Sequence, residues 1–254
     1  MKLKKVAAAT ALAAMFGFGA SAQAAPISVA LELALLIDIS GSVDATEYNL
    51  QKTGYVNAFN DALIQSNIAS LTGGIAVTYI EWSGANQQYQ LVDWTHVYDA
   101  TTAGAFATAI NGVTRAGGGS YNLTAPGSAI NYTTPLFTSN NFDGARWVID
   151  VSGDGTQNDG ATTSTARNAF LAAGGDAVNG LAIGDINLFN WYVANIQGGT
   201  GSFVIQAASF ADFDRAVADK IGREIQQVPE PGALALLGIG LMGLAAARRR
   251  KQAV

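Results

Sequence analysis

The chain contains no cysteine and a single histidine, His96, among its 254 residues. These absences exclude thiol catalysis, cysteine-based zinc sites and any metal site that needs several histidines. Charge is sparse at 13% of the chain, and basic residues are the scarcer sign, with 14 Lys and Arg against 19 Asp and Glu. A metal site in this chain would therefore have to be built from oxygen donors.

The first 24 residues have the composition of a secretory signal peptide. Three lysines precede an apolar stretch over residues 6–19, and the segment closes with Ala22-Gln23-Ala24, a small-x-small cleavage signal. A basic start, a short apolar centre and such a cleavage signal are typical of exported proteins. The sequence predicts that residues 1–24 are removed by cutting after Ala24.

Residues 228–254 form a second targeting segment with three parts in a fixed order. A Pro-Glu-Pro triplet at 229–231 is followed by apolar and glycine residues over 232–247 and by a basic cluster over 248–251. A helix of a globular core would carry a polar face, which this run lacks, and the basic cluster would stay cytoplasmic if the run spanned a membrane. The predicted transmembrane segment is just short of the usual spanning length of about 17–25 residues.

This tail resembles the PEP-CTERM sorting tail of Gram-negative bacteria. In that family a membrane enzyme, exosortase, is thought to cut near the triplet, so that the membrane span is temporary. The resemblance implies an exported protein that is anchored transiently in the inner membrane. It also implies processing by an exosortase-like enzyme and delivery to the cell envelope, the outer surface or the extracellular matrix.

Between the two targeting segments lies one predicted domain, residues 25–227. This range keeps seven of the basic residues and 18 of the acidic ones, which gives a net charge near −11. Such an acidic balance argues against nucleic acid as a partner and suits cations and basic surfaces. The length is that of one hydrophobic core.

Apolar runs alternate with amphipathic ones along the domain, which predicts an α/β fold. We expect a doubly wound, mostly parallel sheet with helices on both faces and one antiparallel edge strand. The predicted strands are Val29–Ile37, Gly74–Trp82, Gln88–Trp94 (the edge strand), Arg146–Val151, Ala177–Ile183 and Ser202–Gln206. The predicted helices are Asp44–Ile64, Thr101–Val113, Ser128–Phe137, Thr162–Ala173, Leu188–Ile196 and Ser209–Gln226.

Oxygen-bearing side chains collect where the predicted strands end. Asp38, Ser40 and Ser42 follow the first strand, Thr124 ends a glycine-rich loop, and Asp154 follows the strand at 146–151. In open α/β sheets the functional crevice lies at the carboxyl ends of the strands. Carboxylates and hydroxyls without nitrogen or sulfur donors favour a hard divalent cation such as Mg²⁺. The sequence therefore predicts a cation site at this edge.

The stretch Asp38-Ile39-Ser40-Gly41-Ser42 resembles the first segment of the metal-ion-dependent adhesion site (MIDAS) of the von Willebrand factor type A (vWA) domain. The resemblance implies a vWA, Rossmann-like fold with Mg²⁺, or Mn²⁺ or Ca²⁺, held by five side chains. Asp38, Ser40 and Ser42 match the first segment, Thr124 the second and Asp154-Gly155 the third. Ser120 is an alternative to Thr124. Gly153 stands where the family often has threonine.

Residues 29–226 further resemble the DUF1194 branch of this family, through "RWVIDVSGDG" and "FADFDRAVADKIGREI". In vWA domains the metal often keeps one coordination position open for a carboxylate of the partner protein. The resemblance thus implies a binding or adhesion module rather than an enzyme.

Two other interpretations stay open. A metal-assisted hydrolase would need a general base near the cation, and His96 and Glu81 are the candidates. The second of these interpretations is a matrix protein in which the metal is purely structural. Asp150, inside a predicted strand, is not assigned to the ligands.

Overall fold

The computed structural model describes residues 25–119 and 123–228. The predicted signal peptide, Ser120 and all but the first residue of the predicted tail lie outside the described residues. Within them no helix is long and apolar enough to cross a membrane.

A central sheet forms the middle layer of the domain. Its strands are β2 (Leu31–Asp38), β3 (Ile75–Trp82), β4 (Gln88–Val97), β6 (Trp147–Gly153), β7 (Ala177–Ile183), β8 (Gly198–Gly199) and β9 (Val204–Ala207). A separate two-stranded parallel sheet pairs β1 (Ile27–Val29) with β5 (Phe142–Gly144).

The main sheet has the order β4-β3-β2-β6-β7, and both β8 and β9 pair with β7. The pairs β2–β3, β2–β6, β6–β7 and β7–β9 are parallel, whereas β4 runs antiparallel to β3 at one edge. The predicted mostly parallel sheet with an antiparallel edge strand is therefore confirmed. A further antiparallel pairing, not predicted, joins the two glycines of β8 to the start of β7.

Helices cover both faces of the sheet, as the doubly wound prediction requires. They are α1 (Ala45–Asn60), α2 (Ala62–Ser70), α3 (Ala100–Gly112), α4 (Pro126–Thr133), α5 (Thr163–Ala172), α6 (Ile186–Asn195) and α7 (Phe213–Gln226). Helices α1, α2, α3 and α7 pack on one apolar cluster, and α4, α5 and α6 pack on the other. Strand β2 is buried along its whole length because its side chains feed both clusters alternately.

The predicted helix Asp44–Ile64 is two helices in the structure. Asp61 takes an extended conformation between them (φ −68°, ψ 127°), and its carboxylate accepts hydrogen bonds from the N–H groups of Leu63 and Ile64. An aspartate that caps a second helix can end the first without a glycine or proline. The sequence reading missed this break because the apolar spacing continues across it.

The last helix brings the end of the domain to the edge of the sheet opposite Asp38. Strand β9 is parallel to β7, so α7 returns towards the amino ends of the strands. There the Gln227 side chain approaches Gly201, in the turn after β8, and Arg146, just before β6, approaches the same turn. The described chain ends at this amino edge.

Candidate metal site

Asp38 is the last residue of β2, on the central pair of strands. It pairs with Trp82 at the end of β3, and the preceding residue, Ile37, pairs with Ser152 of β6. The Asp38 side chain is fully buried, and its Oδ1 accepts a hydrogen bond of 2.7 Å from the Ser40 N–H. A strand end that is flanked by two parallel neighbours thus fixes one carboxylate at the carboxyl edge of the sheet.

The two serines extend the site outward from Asp38. Ser40 is buried and Ser42 is exposed, and their Oγ atoms lie 3.3 Å apart. The Arg115 guanidinium holds the backbone of this loop, since it donates to the carbonyl oxygens of Ile39 (2.9 Å) and Val43 (2.8 Å). Sequence reasoning did not anticipate this role for Arg115, which lies outside the motif.

Asp44 begins the helix that follows this loop. Its carboxylate accepts from the N–H groups of Thr46 and Glu47, and the Glu47 side chain accepts from the Asp44 N–H, which completes a capping box. The helix therefore leaves Asp38 free of any capping role.

Asp154 closes the site from the loop after β6. Its Oδ1 accepts a hydrogen bond of 2.6 Å from the Ser42 hydroxyl, which joins two residues that are 112 positions apart in the chain. Thr124 approaches the same loop. A Cβ built on Gly155 would lie 3.5 Å from the Thr124 hydroxyl oxygen. The structure therefore brings the first, second and third predicted segments together at one edge.

Thr124 is held by backbone bonds rather than by its own side chain. Its N–H donates to the Asn158 side-chain oxygen (2.7 Å), and its carbonyl accepts from the N–H of Asn158 (3.0 Å). Gly127 in α4 lets this helix lie close to Ala161, farther along the same loop, because a Cβ there would overlap the Ala161 carbonyl oxygen. The threonine is 5% exposed, at the opening of the site.

The Asp38 carboxylate lacks a partner for one of its oxygens. Within the described residues Oδ2 is buried and accepts no hydrogen bond. Burial and, to a smaller extent, the neighbouring Asp154 carboxylate raise the pKa of Asp38 to about 7, against Ser40 and the Asp154 backbone N–H, which lower it. The pKa of Asp154 is also raised, chiefly by burial. Two carboxylates are therefore held close together and partly or fully buried. A cation bound between them would offset both the burial cost and their mutual repulsion.

Tyr192 is a member of the site that the sequence did not reveal. A Cβ built on Gly153 would lie 2.6 Å from Asp38 Oδ2 and 2.8 Å from the Tyr192 hydroxyl. That hydroxyl is buried without a hydrogen-bond partner in the described structure, and the pKa of Tyr192 is raised well above its usual value by burial and then by Asp38. The Tyr192 hydroxyl thus occupies the space beside Gly153 where the vWA pattern often has threonine.

The two candidate general bases, His96 and Glu81, make other contacts in the fold. His96 pairs with Ala76 near the amino end of β3, away from Asp38, and its ring nitrogen Nε2 lies 2.8 Å from the Gly73 carbonyl oxygen. Glu81 is buried and accepts from the Tyr48 hydroxyl and the Ala116 N–H. No cluster of three or more His, Cys, Asp or Glu side chains suited to a metal occurs among residues 25–119 and 123–228. A cation at this edge would depend on hydroxyl oxygens as well as on the two aspartates.

Without metal, the stability of the protein should fall as the pH rises from about 4 to about 7. The pKa of Asp38 is about 7 in the folded chain against an ordinary 3.8, so the folded state holds a proton that the unfolded state has lost. The pKa values of Glu32, Glu81 and Asp154 are raised in the same direction by burial. Asp38 alone corresponds to roughly 4 kcal/mol.

Urea unfolding in EDTA at pH 5 and pH 8 measures this dependence. The exposed helix caps Asp99 and Asp185, whose pKa values are lowered by hydrogen bonds, are ionised in both the folded and the unfolded chain at pH 5 and at pH 8, so they do not affect this comparison. A metal-free protein that is more stable at pH 8 than at pH 5 would contradict the burial of an ionised Asp38.

Comparison with known proteins identifies the family of the chain. Residues 28–229 match the family described as "Protein of unknown function (DUF1194)". The chain belongs to the DUF1194 family. Residues 227–251 of this DUF1194 protein match the PEP-CTERM protein-sorting motif, which confirms the resemblance of the tail. No curated protein sequence matches the DUF1194 chain.

Solved structures share its fold. Proximal thread matrix protein 1 (PTMP1) from the mussel byssus has a TM-score of 0.58 at 13% identity, over 78% of the DUF1194 chain and 48% of its own. Another PTMP1 structure, with a zinc-occupied MIDAS motif, has a TM-score of 0.55 at 15% identity over 80% and 49%. The pilus adhesin SpaC from Lactobacillus rhamnosus GG has a TM-score of 0.55 at 14% identity over 80% and 30%.

These identities are low, so the likeness concerns the fold. The DUF1194 chain spans about half the length of PTMP1 (48%) and about a third of SpaC (30%). The mostly parallel sheet covered by helices on both faces agrees with these neighbours.

Proposed function

We propose that this DUF1194 protein is an exported vWA-like binding module that uses a divalent cation to engage a carboxylate of its partner. The observation that carries the proposal is the buried, unpartnered Oδ2 of Asp38, which lies at the carboxyl edge of the sheet beside Asp154 and the two serine hydroxyls. A buried carboxylate is stable only when it is paired, hydrogen-bonded or bound to a metal. In the described structure Asp38 Oδ2 has neither an ion-pair partner nor a hydrogen bond.

The donor set fits a hard cation. The proposed ligands are Asp38, Ser40, Ser42, Thr124 and Asp154. All five offer oxygen, the preferred ligand of Mg²⁺, Mn²⁺ and Ca²⁺. When bound, the cation would supply positive charge for a partner carboxylate. The exposure of Ser42 and the partial exposure of Asp154 leave this side open to a protein or acidic ligand.

We further propose that the site binds rather than catalyses. A hydrolase would need a general base in reach of a metal-bound substrate. His96 lies near the other edge of the sheet, and both Glu81 oxygens accept hydrogen bonds within the fold. PTMP1 is a matrix protein and SpaC a pilus adhesin by name, which is in keeping with a binding or matrix role.

The targeting segments complete the proposal. A signal peptide over 1–24, a binding domain over 25–227 and a sorting tail over 228–254 would place the domain at the cell envelope, the outer surface or the extracellular matrix of a Gram-negative bacterium. The family match at 28–229 supports the extent of the domain, and the sorting motif at 227–251 supports that of the tail. The tail would be a transient inner-membrane anchor for an exosortase-like enzyme.

A thermal melt of the purified protein in EDTA and in excess Mg²⁺ or Mn²⁺ tests the cation. A ligand at about 100 times its Kd adds roughly 2.7 kcal/mol to the free energy of unfolding. We expect this gain in the wild type and in the control Asp61→Ala, which removes the α2 cap far from the site, but not in Asp154→Ala. A metal-independent melt would overturn the proposal.

Binding of an aspartate-containing peptide tests the partner chemistry. We expect Mg²⁺-dependent capture of the aspartate peptide and none of the same peptide with asparagine. Metal binding without this difference would favour a purely structural metal.

A further inference from the structure

A second buried charged cluster lies in the core, between β6 and α7. Asp150 is in the middle of β6, and Lys220 and Glu224 lie one turn apart on α7. All three are buried, with exposures of 0%, 0% and 1%. Val217 and Ile221 of the same helix belong to the apolar cluster on the side of the sheet that α1 also covers. It belongs to neither the metal site nor the surface.

Its contacts join one amine to two carboxyl groups. Lys220 Nζ is in direct contact with Asp150 Oδ1 and lies 3.4 Å from Glu224 Oε1. Asn179 orients the second carboxyl, because its Nδ2 donates to Glu224 Oε1 at 2.9 Å while its Oδ1 accepts from the Phe203 N–H at 3.1 Å. Strand β7, which carries Asn179, thus positions Glu224 against the amine.

Ordinary ion pairing does not explain how this cluster is stable in the core. Two ionised carboxylates and one ammonium would leave a net negative charge in the core. Among the described residues neither Asp150 oxygen accepts a hydrogen bond, and Glu224 Oε2 accepts none. A buried ion pair is stable only when further hydrogen bonds satisfy its remaining atoms. Burial also lowers the pKa of Lys220 to about 8, which favours its neutral, nucleophilic amine.

We propose that Lys220 Nζ and Asp150 Cγ are joined by an intramolecular amide bond, with Glu224 as the group that transfers the proton. The neutral amine attacks the Cγ carbon of the protonated Asp150 carboxyl. Glu224 takes a proton from the nitrogen and delivers it to the departing hydroxyl. One C–N bond forms, one C–O bond breaks and one water leaves, so no oxidant, reductant or further reactant is needed.

The fold supplies what this condensation requires. Fixed contact between two groups replaces the encounter of separate reactants, which can accelerate a reaction by many orders of magnitude. Burial removes the water that would favour hydrolysis and suppresses the charges that would block attack. The bond would tie α7 covalently to the central sheet.

Mass spectrometry of the purified wild-type protein after denaturation and trypsin digestion tests the bond. Trypsin cuts after Arg146, Arg167, Arg215 and Arg223 but not after an acylated lysine. We expect a branched peptide of residues 147–167 and 216–223, lighter than the sum of its parts by one water. This readout is independent of how the chain ends are processed.

Recovery of peptide 147–167 and of separate peptides 216–220 and 221–223, all unlinked and at full mass, would overturn the proposal. Lys220→Arg keeps a positive charge without a primary amine and is expected to give only unlinked peptides. Glu224→Gln keeps both reacting groups but removes the proton carrier, and it too should be unlinked or nearly so. Full linkage in Glu224→Gln would overturn the role assigned to Glu224.

Discussion

Lys220→Met is expected to lower the free energy of unfolding by about 3–5 kcal/mol, because it leaves Asp150 and Glu224 buried without their cationic or covalent partner. Methionine keeps the length and apolar stem of lysine, so lost packing contributes little. The substitution also removes the proposed amide, which would close the loop between residues 150 and 220. A cross-link over a loop of that length contributes roughly 4 kcal/mol through the entropy of the unfolded chain, so an amide-linked wild type should lose more than the roughly 3–5 kcal/mol that the charges alone account for.

Urea unfolding followed by circular dichroism measures this loss. Lys52→Met is the matched control, since Lys52 lies on α1, donates to the carbonyl oxygens of Asn111 and Val113 and otherwise lies over the Tyr48 ring, without a buried carboxylate partner among the contacts described. We expect the control to change stability by about 1 kcal/mol or less. Equal small effects of the two substitutions would mean that the buried cluster stabilises nothing.

Asp38→Asn is expected to have opposite effects with and without metal. Asparagine keeps an oxygen for the Ser40 N–H but carries no charge, so it removes the burial penalty that raises the pKa of Asp38 to about 7. At pH 8 in EDTA, the variant should exceed the wild type in stability, by at most about 4 kcal/mol. In excess Mg²⁺ only the wild type should gain, because the neutral amide is a weak ligand for a hard cation.

Thermal or urea unfolding of the wild type and of Asp38→Asn, each in EDTA and in Mg²⁺, gives the four stabilities to be compared. If replacing a metal-ligating side chain stabilises the metal-free protein, that residue is kept for function at the expense of stability. If Asp38→Asn destabilised the protein equally in both conditions, Asp38 would be a structural residue of the strand end.

The fold and the three predicted segments of the site follow from local patterns. Strands β2 and β6 are mostly apolar runs because helices bury both of their faces, and such runs are visible without any knowledge of tertiary contacts. Asp38 ends the first of these runs, and Asp154 comes directly after the second strand. Parallel pairing of β2 with β6 then brings them to the same edge.

What the sequence did not reveal depends on contacts between distant elements. Tyr192 lies on an amphipathic helix where an aromatic residue is ordinary core, and only the empty space beside Gly153 gives its hydroxyl a place near Asp38. Asp150 and Lys220 come together through the packing of α7 on β6, which no local spacing encodes. A lysine and a glutamate four residues apart among the apolar residues of the last helix were the available signal.

The end of the described chain and the candidate metal site lie at opposite edges of the sheet. The described chain finishes beside Gly201 and Arg146 at the amino edge of the sheet, whereas Asp38 lies at the carboxyl edge. Strand β2 runs between these edges, and eight extended residues span about 25 Å. A surface that held the protein by its tail would face the amino edge, so the cation would point outward, into the space where another cell or polymer approaches.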